Sequence, residues 1–314
     1  MIVVTGAAGF IGSCMISKLN DHNFNYIIAV DDFSDQEKNK NLAGKKIQEK
    51  VDREVFFDWL DENYKLVEFI FHLGARTDTT ETDEQILNHL NLEYSKKVWN
   101  RCVDYQIPII YASSAATYGN GEKGFDDDES KLSQLVPLNL YGESKAQFDN
   151  WAISQPKKPF FWAGLKFFNV YGGIMESHKG KMASMIFQMD QQIVANGKIK
   201  LFKSYKEDYK DGEQRRDFVH VNDLTDVCYW FMHHRIDSGI YNLGSGESQS
   251  FLNIAEVLFK NRGMNSNIEF IDMPHSIKDK YQYNTKADIS KLRSIGYNKK
   301  FNRLDEIIDI IPFE

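Results

Sequence analysis

The chain has 314 residues, 42% of them hydrophobic, and only six prolines, which excludes a disordered or fibrous protein and suffices for one large α/β unit with a smaller appended domain. A net charge of -7 argues against a nucleic-acid polymer as partner, because such proteins carry basic surface that displaces phosphate counterions. The three cysteines, Cys14, Cys102 and Cys228, form no CxxC or Cys/His spacing, so a reducing compartment is expected and a metal site is not.

Met1 to Thr5 enters a strand at once, leaving no room for a secretory leader, and no later apolar run is long enough to span a bilayer. A cytoplasmic protein without a membrane partner is therefore expected. Strands are predicted at Ile2 to Thr5, Tyr26 to Val30, Phe69 to His72 and Ile107 to Ser113, with helix-period segments between them; Glu84 to Gln106 is the longest. This βαβ alternation predicts a Rossmann-type, doubly wound parallel sheet. Ser133 to Ser154 reads as a loop and then a helix, and Phe160 to Val170 as a further buried strand. After Tyr171-Gly172-Gly173 the elements shorten, and Ser204 to Gln214 is polar and turn-rich. Strands are predicted there at Lys200 to Phe202, Phe218 to Val221, Ile240 to Leu243 and Ile268 to Ile271. Residues 1–170 are thus expected to bind a dinucleotide and 171–314 to form mainly a smaller α/β substrate domain, with about 217–245 returning in part to the first. The acidic cluster Asp126 to Glu129 reads as a solvated loop.

Gly6, Gly9 and Gly12 lie directly between the first strand and the first helix. In that setting the first glycine permits a tight turn, the second lets backbone N–H groups approach a pyrophosphate, and the third lets helix and strand pack closely. The helix N-terminus adds favourable positive potential. Asp31 and Asp32 stand where an acid would bind the adenosine ribose, which favours NAD, whereas Lys38 and Arg53 downstream could neutralise the 2′-phosphate of NADP. The residues alone leave that choice open.

Tyr141 and Lys145 are four apart and share one helix face. A free tyrosine, with a pKa near 10, is a poor base at neutral pH, and a lysine ammonium beside an oxidised nicotinamide would favour its phenolate. Ser114, following the strand from Ile107, could hold a hydroxyl or ketone oxygen beside the tyrosine.

In this order, the glycine loop, Ser114 and the Tyr141–Lys145 pair resemble the extended short-chain dehydrogenase/reductase family, over nearly the whole chain. The family includes sugar-nucleotide epimerases, dehydratases and reductases. The resemblance implies that Ser114, Tyr141 and Lys145 support hydride transfer between a sugar carbon and a nicotinamide. Arg216, in Arg216-Asp217-Phe218-Val219-His220-Val221-Asn222-Asp223, would approach the substrate pyrophosphate, a task suited to a planar guanidinium.

The segments Tyr111 to Gly119, Phe167 to Gly172 and His178 to Ser184 are similar to family members that epimerise an ADP-linked heptose at C6″ for lipopolysaccharide synthesis. That likeness implies that Lys179 is a second acid/base group; the alternative, from its residue type and place in a loop, is a phosphate-binding or solvated lysine. It implies cofactor contacts from Gly6, Gly9, Phe10, Ile11, Gly12, Asp31, Asp32, Lys38, Arg53, Leu73, Ala75, Asn91 and Lys145. The ADP-sugar would meet Ser114, Asn169, Val170, Lys181, Gln188, Phe202, Arg216 and Tyr281, although Lys181 and Gln188 stand where the family often has serine and histidine. His72-Leu73-Gly74-Ala75-Arg76 also departs from the family's acidic residue after the histidine. NADP, with NAD as the alternative, and a homopentamer follow from the same likeness. A C4 epimerase is the nearest rival. A 4,6-dehydratase needs an acid/base pair where this chain has Ala115-Ala116, and a non-catalytic dinucleotide sensor has no need of Ser114, Tyr141 and Lys145 together.

Overall fold

The computed structural model describes residues 1–278 and 281–304. Its centre is a seven-stranded sheet built from Ile2–Thr5 (β1), Ile27–Asp31 (β2), Glu49–Asp52 (β3), Phe69–His72 (β4), Ile109–Ser114 (β5), Trp162–Phe167 (β6) and, much later in the chain, Gly239–Leu243. Three further strands, Asn169–Tyr171 (β7), Ile199–Phe202 (β8) and Arg215–His220 (β9), precede that last one, which is β10, and Ser248–Ser250 (β11) and Ile268–Ile271 (β12) follow it.

The spatial order of the large sheet is β10-β6-β5-β4-β1-β2-β3, and every pairing in it is parallel. Its inner strands are buried along their length because each face is covered, which is why they read as unbroken apolar runs. Val4, Ala29, Phe71 and Ile110 pack with Met15 and Leu19 of the helix Phe10–Asp21 and with Leu224 and Val227 of the helix Val221–His233. The alternate residues Val3, Ile28, Ile70 and Ile109 pack on the other face against Phe56, Leu60, Val98, Trp99 and Phe148. The chain builds β1, β2 and β3 outward to one side and then returns to the other side at β4. The crevice beyond the carboxyl ends of β1 and β4 is therefore the switch point at which such sheets bind ligands.

Three differences from the sequence reading have physical causes. The edge strand β3 escapes notice because Glu49, Lys50 and Asp52 are exposed and only Val51 is buried. Glu84 to Gln106 is not one regular helix: α-helical turns at Glu84–Leu87 and Tyr94–Asp104 are joined by a π-helical turn, Asn88–Glu93. Phe160 is exposed, and the buried strand begins at Trp162.

β7 carries the chain out of the large sheet, pairing in parallel with β9, which pairs antiparallel with β11. β8 and β12 form a separate parallel pair. The helices Met185–Asn196 and Phe251–Asn261 cover these strands around a distinct core of Tyr171, Ile186, Met189, Leu201, Phe218, Ile254 and Leu258. Ile240–Leu243, counted above among the strands after Tyr171, lies instead at the edge of the large sheet, where β10 pairs with β6. No helix among the described residues is long and apolar enough to cross a membrane.

Candidate active site

The glycine loop is shaped by close backbone approach. Gly6 has φ +68°, and a Cβ on it would stand 2.6 Å from the Cα of Gly74 in the segment after β4. A Cβ on Gly12 would lie 2.1 Å from the Gly6 carbonyl oxygen, so only glycine lets the helix start so near the turn. Gly9 is the N-cap, with no side chain occupying the first N–H groups of the helix Phe10–Asp21. A cradle that any Cβ would fill, opening on a helix N-terminus at the switch point, fits a dinucleotide pyrophosphate.

Asp31, buried at the end of β2, accepts from the Ala8 N–H through Oδ2 at 2.8 Å and from the Lys38 ammonium through Oδ1 at 2.5 Å. Asp32 accepts from the Ser34 N–H at 3.0 Å and pairs with Arg53 at 3.3 Å; the Ser34 hydroxyl first, then its N–H, holds the carboxyl below the usual range. The four groups expected at the adenosine end thus lie together, each cation paired with one of the acids. Leu73 continues from β4 and donates to the Thr5 carbonyl at 3.3 Å, with Ala75 two residues on. Asn91, fully buried in the π-helical turn, accepts from Arg76 N–H at 2.8 Å and donates to the Arg76 carbonyl and to Ser144 Oγ, each at 3.0 Å. It joins the segment after β4 to the tyrosine helix.

That helix, Leu140–Ser154, starts on Asn139, whose side chain accepts from the Gly142 N–H at 2.8 Å. A Cβ on Gly142 would stand 2.8 Å from the Ala116 carbonyl oxygen, so a glycine here brings Tyr141 close to the end of β5. Ser114 ends β5, its Oγ accepting from the Ala116 N–H at 3.1 Å, and its hydroxyl lies near enough to act on the Tyr141 phenol. Burial raises the Tyr141 pKa, and the Ser114 hydroxyl works against it. Lys145 is buried and donates to the Ala112 carbonyl at 3.0 Å; burial pulls its pKa down to about 8, opposed by the Asp149 carboxylate. Ser114, Tyr141 and Lys145 therefore share one site, but in the protein alone burial, rather than the lysine charge, governs the phenol.

Lys179 lies in a run of tight turns, Gly173–Met182, where Gly180 takes φ +52°. Its ammonium stands 5.9 Å from the centre of the Phe10 ring, at the start of the glycine-loop helix. A Cβ on Gly172 would meet that same ring at 2.8 Å, so this segment presses on the cofactor loop. Glu176 closes the turns: its buried carboxylate accepts from the Gly172 N–H at 2.8 Å, the Ser184 N–H at 2.5 Å and Ser184 Oγ at 3.0 Å. Burial lowers the Lys179 pKa, with Glu176 acting in the opposite sense.

On the smaller unit, the Arg216 guanidinium lies over the rings of Tyr281 at 5.3 Å and Phe251 at 5.6 Å, and Phe202 packs edge-on to Tyr281. Phe202, Arg216 and Tyr281 are thus brought together. Gln188 spends its amide on the Lys181 and Ala183 carbonyls at 3.2 and 2.7 Å, whereas Lys181 and Asn169 are exposed and Val170 is half-buried.

Several groups that organise the site were not visible in the sequence reading. Asp149 and Lys166 are both buried and joined at 2.7 Å, Asn41 ties distant segments together, and Glu176 closes the turns around Lys179. Lys166 carried one signal, a charge in the middle of an apolar strand, which demands a buried partner.

Residues 2–244 match the NAD dependent epimerase/dehydratase family. The chain is 45% identical to an ADP-L-glycero-D-manno-heptose-6-epimerase of Fusobacterium nucleatum, covering 98% of this chain and 95% of that one. It is 40% identical to a protein of the same name from Nitratidesulfovibrio vulgaris, again over 98% and 95%. The crystal structure of the Helicobacter pylori ADP-L-glycero-D-manno-heptose-6-epimerase superposes with a TM-score of 0.82 at 27% identity, covering 98% of this chain and 94% of that one. A UDP-N-acetylglucosamine 4-epimerase from Methanobrevibacter ruminantium matches in fold with the same TM-score at 21% identity, covering 99% and 96%.

Proposed function

The chain belongs to the NAD dependent epimerase/dehydratase family, and from that membership we propose that it converts ADP-D-glycero-D-manno-heptose into ADP-L-glycero-D-manno-heptose for the lipopolysaccharide inner core. The stereocentre at C6″ is inverted by transient oxidation to a ketone and re-reduction from the other face. Relatives at 40–45% identity over nearly the whole chain carry that name. The observation that supports the reading is a pair of ionisable side chains on separate elements: Tyr141 lies by Ser114 at the end of β5, and Lys179 stands over Phe10 beyond β1. A C4 epimerase or a sensor has no use for the second.

A bound nicotinamide supplies the hydride acceptor and, with no net redox change, the donor. In one orientation of the sugar, Tyr141 exchanges the proton of the C6″ oxygen while the Ser114 hydroxyl fixes that oxygen. After the ketone has turned over, Lys179 exchanges the proton at the same oxygen. A lysine whose pKa is lowered by burial gives up and regains a proton near neutral pH more readily than an exposed one. Lys145 orients the ribose end and keeps positive charge near Tyr141. Arg216, Tyr281 and Phe202 hold the ADP-sugar, the guanidinium on its pyrophosphate, with Asn169, Val170, Lys181 and Gln188 as further contacts. Residues 1–170 then serve the dinucleotide and the later residues mainly the substrate. NADP is the cofactor we propose, its 2′-phosphate met by Lys38 and Arg53 once they leave Asp31 and Asp32, in a cytoplasmic homopentamer.

Incubation with ADP-D-glycero-D-manno-heptose, followed at C6″ by NMR, tests the assignment. The expected result is a mixture of both C6″ epimers; unchanged heptose alongside turnover of a UDP-hexose would contradict it.

A further inference from the structure

Asn41 lies just beyond Lys38, buried between two segments far from it in sequence. Its Nδ2 donates to the Ala8 carbonyl at 3.1 Å and to the Met175 carbonyl at 3.3 Å, and stands 3.1 Å from His178 Nδ1. Two carbonyls can only accept, so they fix which end of the amide points toward them. The same NH2 group, which can only donate, also faces His178 Nδ1. Burial, with the ammonium groups of Lys179 and Lys38 nearby, holds the His178 pKa below its ordinary value, and the Met175 backbone acts in the opposite sense. The other side of Ala8 is held too, since its N–H donates to Asp31. The peptide at the centre of the glycine loop is therefore gripped from both sides, and one grip extends to the turns that carry Lys179.

Glu176 closes those turns upon themselves, through Gly172 and Ser184, but makes no bond to the glycine loop. The contacts of Phe10 with Lys179 and Gly172 involve an aromatic ring and do not fix a register. Asn41 supplies directional bonds across the gap.

We propose that Asn41 is a positioning residue for Lys179, its amide fixing the Met175–His178 turn against the glycine loop and so holding the second proton-exchanging group in place. The proposal rests on the role given above to Lys179. It predicts a functional defect because displacement of a reacting group by about 1 Å can cost on the order of 100-fold in rate.

The test compares the cofactor-loaded wild type, Asn41→Leu, Lys179→Ala and the double variant, measuring turnover and cofactor affinity and, starting from each C6″ epimer, single-turnover oxidation. Asn41→Leu keeps the size of the side chain and cannot donate. It is expected to lower turnover roughly 10- to 100-fold with cofactor affinity nearly unchanged, and to slow the same epimer as Lys179→Ala. In the Lys179→Ala background it should cost nothing further. If its full effect persists in that background, Asn41 serves the glycine loop alone and the proposal fails. Wild-type turnover in Asn41→Leu beside a disabled Lys179→Ala overturns this proposal and leaves the two-base reading standing. Wild-type turnover in Lys179→Ala removes the two-base reading and this proposal with it. Should Asn41→Leu not fold, His178→Ala, which removes only the outer limb of the clamp, is expected to slow the same epimer, and wild-type behaviour in it overturns the proposal.

Discussion

Tyr141 rides on a long helix whose inner face is tied into the sheet by charge, whereas Lys179 sits in short turns held by side chains reaching in from elsewhere. One turn beyond Lys145, Asp149 accepts from Tyr111 Oη at 3.1 Å, Ser113 Oγ at 2.6 Å and Lys166 Nζ at 2.7 Å, all from β5 and β6. Lys166 also donates to Thr117 Oγ1 at 2.7 Å, in the turn that follows Ser114. The same pair thus joins the helix of Tyr141, the strand of Ser114 and the turn beyond it. Around Lys179 the comparable buried carboxylate, Glu176, has only backbone and hydroxyl donors, and burial pushes its pKa up. The first proton-exchanging group belongs to the folded core; the second depends on a few directed bonds. Damage on the first side should reach both stability and activity, and damage on the second side activity alone.

The sharpest way to break this contrast is Tyr141→Phe, which removes the phenolic oxygen and keeps the ring. Turnover should fall by about 10³- to 10⁴-fold while dinucleotide affinity, read by fluorescence titration, stays near that of the wild type. Next comes Lys166→Met, which strands a buried Asp149 carboxylate. Loss of one partner of a buried pair costs about 3–5 kcal/mol, so the midpoint of denaturant unfolding should drop markedly and turnover with it. An unchanged midpoint would mean that the pair does not secure the helix. The smallest effect is expected from Lys179→Ala, with turnover lowered about 100-fold and the unfolding midpoint within experimental scatter of the wild type. A large stability loss there would erase the distinction between the two sides.

The same contrast explains what could be read from the sequence. Gly6, Gly9 and Gly12, and Tyr141 with Lys145, were legible because each set is local: strand, turn and helix fix their geometry within a few residues. The buried parallel strands were legible from their apolar runs, and the family from the order of the motifs. Asn41 and His178 were not, since their bonds span 134 and 137 residues and neither residue type is unusual where it stands. Asp149 has no local signal, since Tyr111, Ser113 and Lys166 converge on it from two separate strands. The edge strand β3 was missed because a strand covered on few sides carries few apolar residues. The upward shift of the Tyr141 pKa was equally hidden, since burial depends on packing that no spacing reveals.

The central claim is that hydride leaves C6″ and returns to it within one bound complex, while Tyr141 and Lys179 exchange only the proton on oxygen. Turnover of ADP-D-glycero-D-manno-heptose in deuterated water, with C6″ read by NMR, tests this most directly. The account predicts the inverted epimer with ordinary hydrogen retained at C6″; deuterium appearing on that carbon would contradict it.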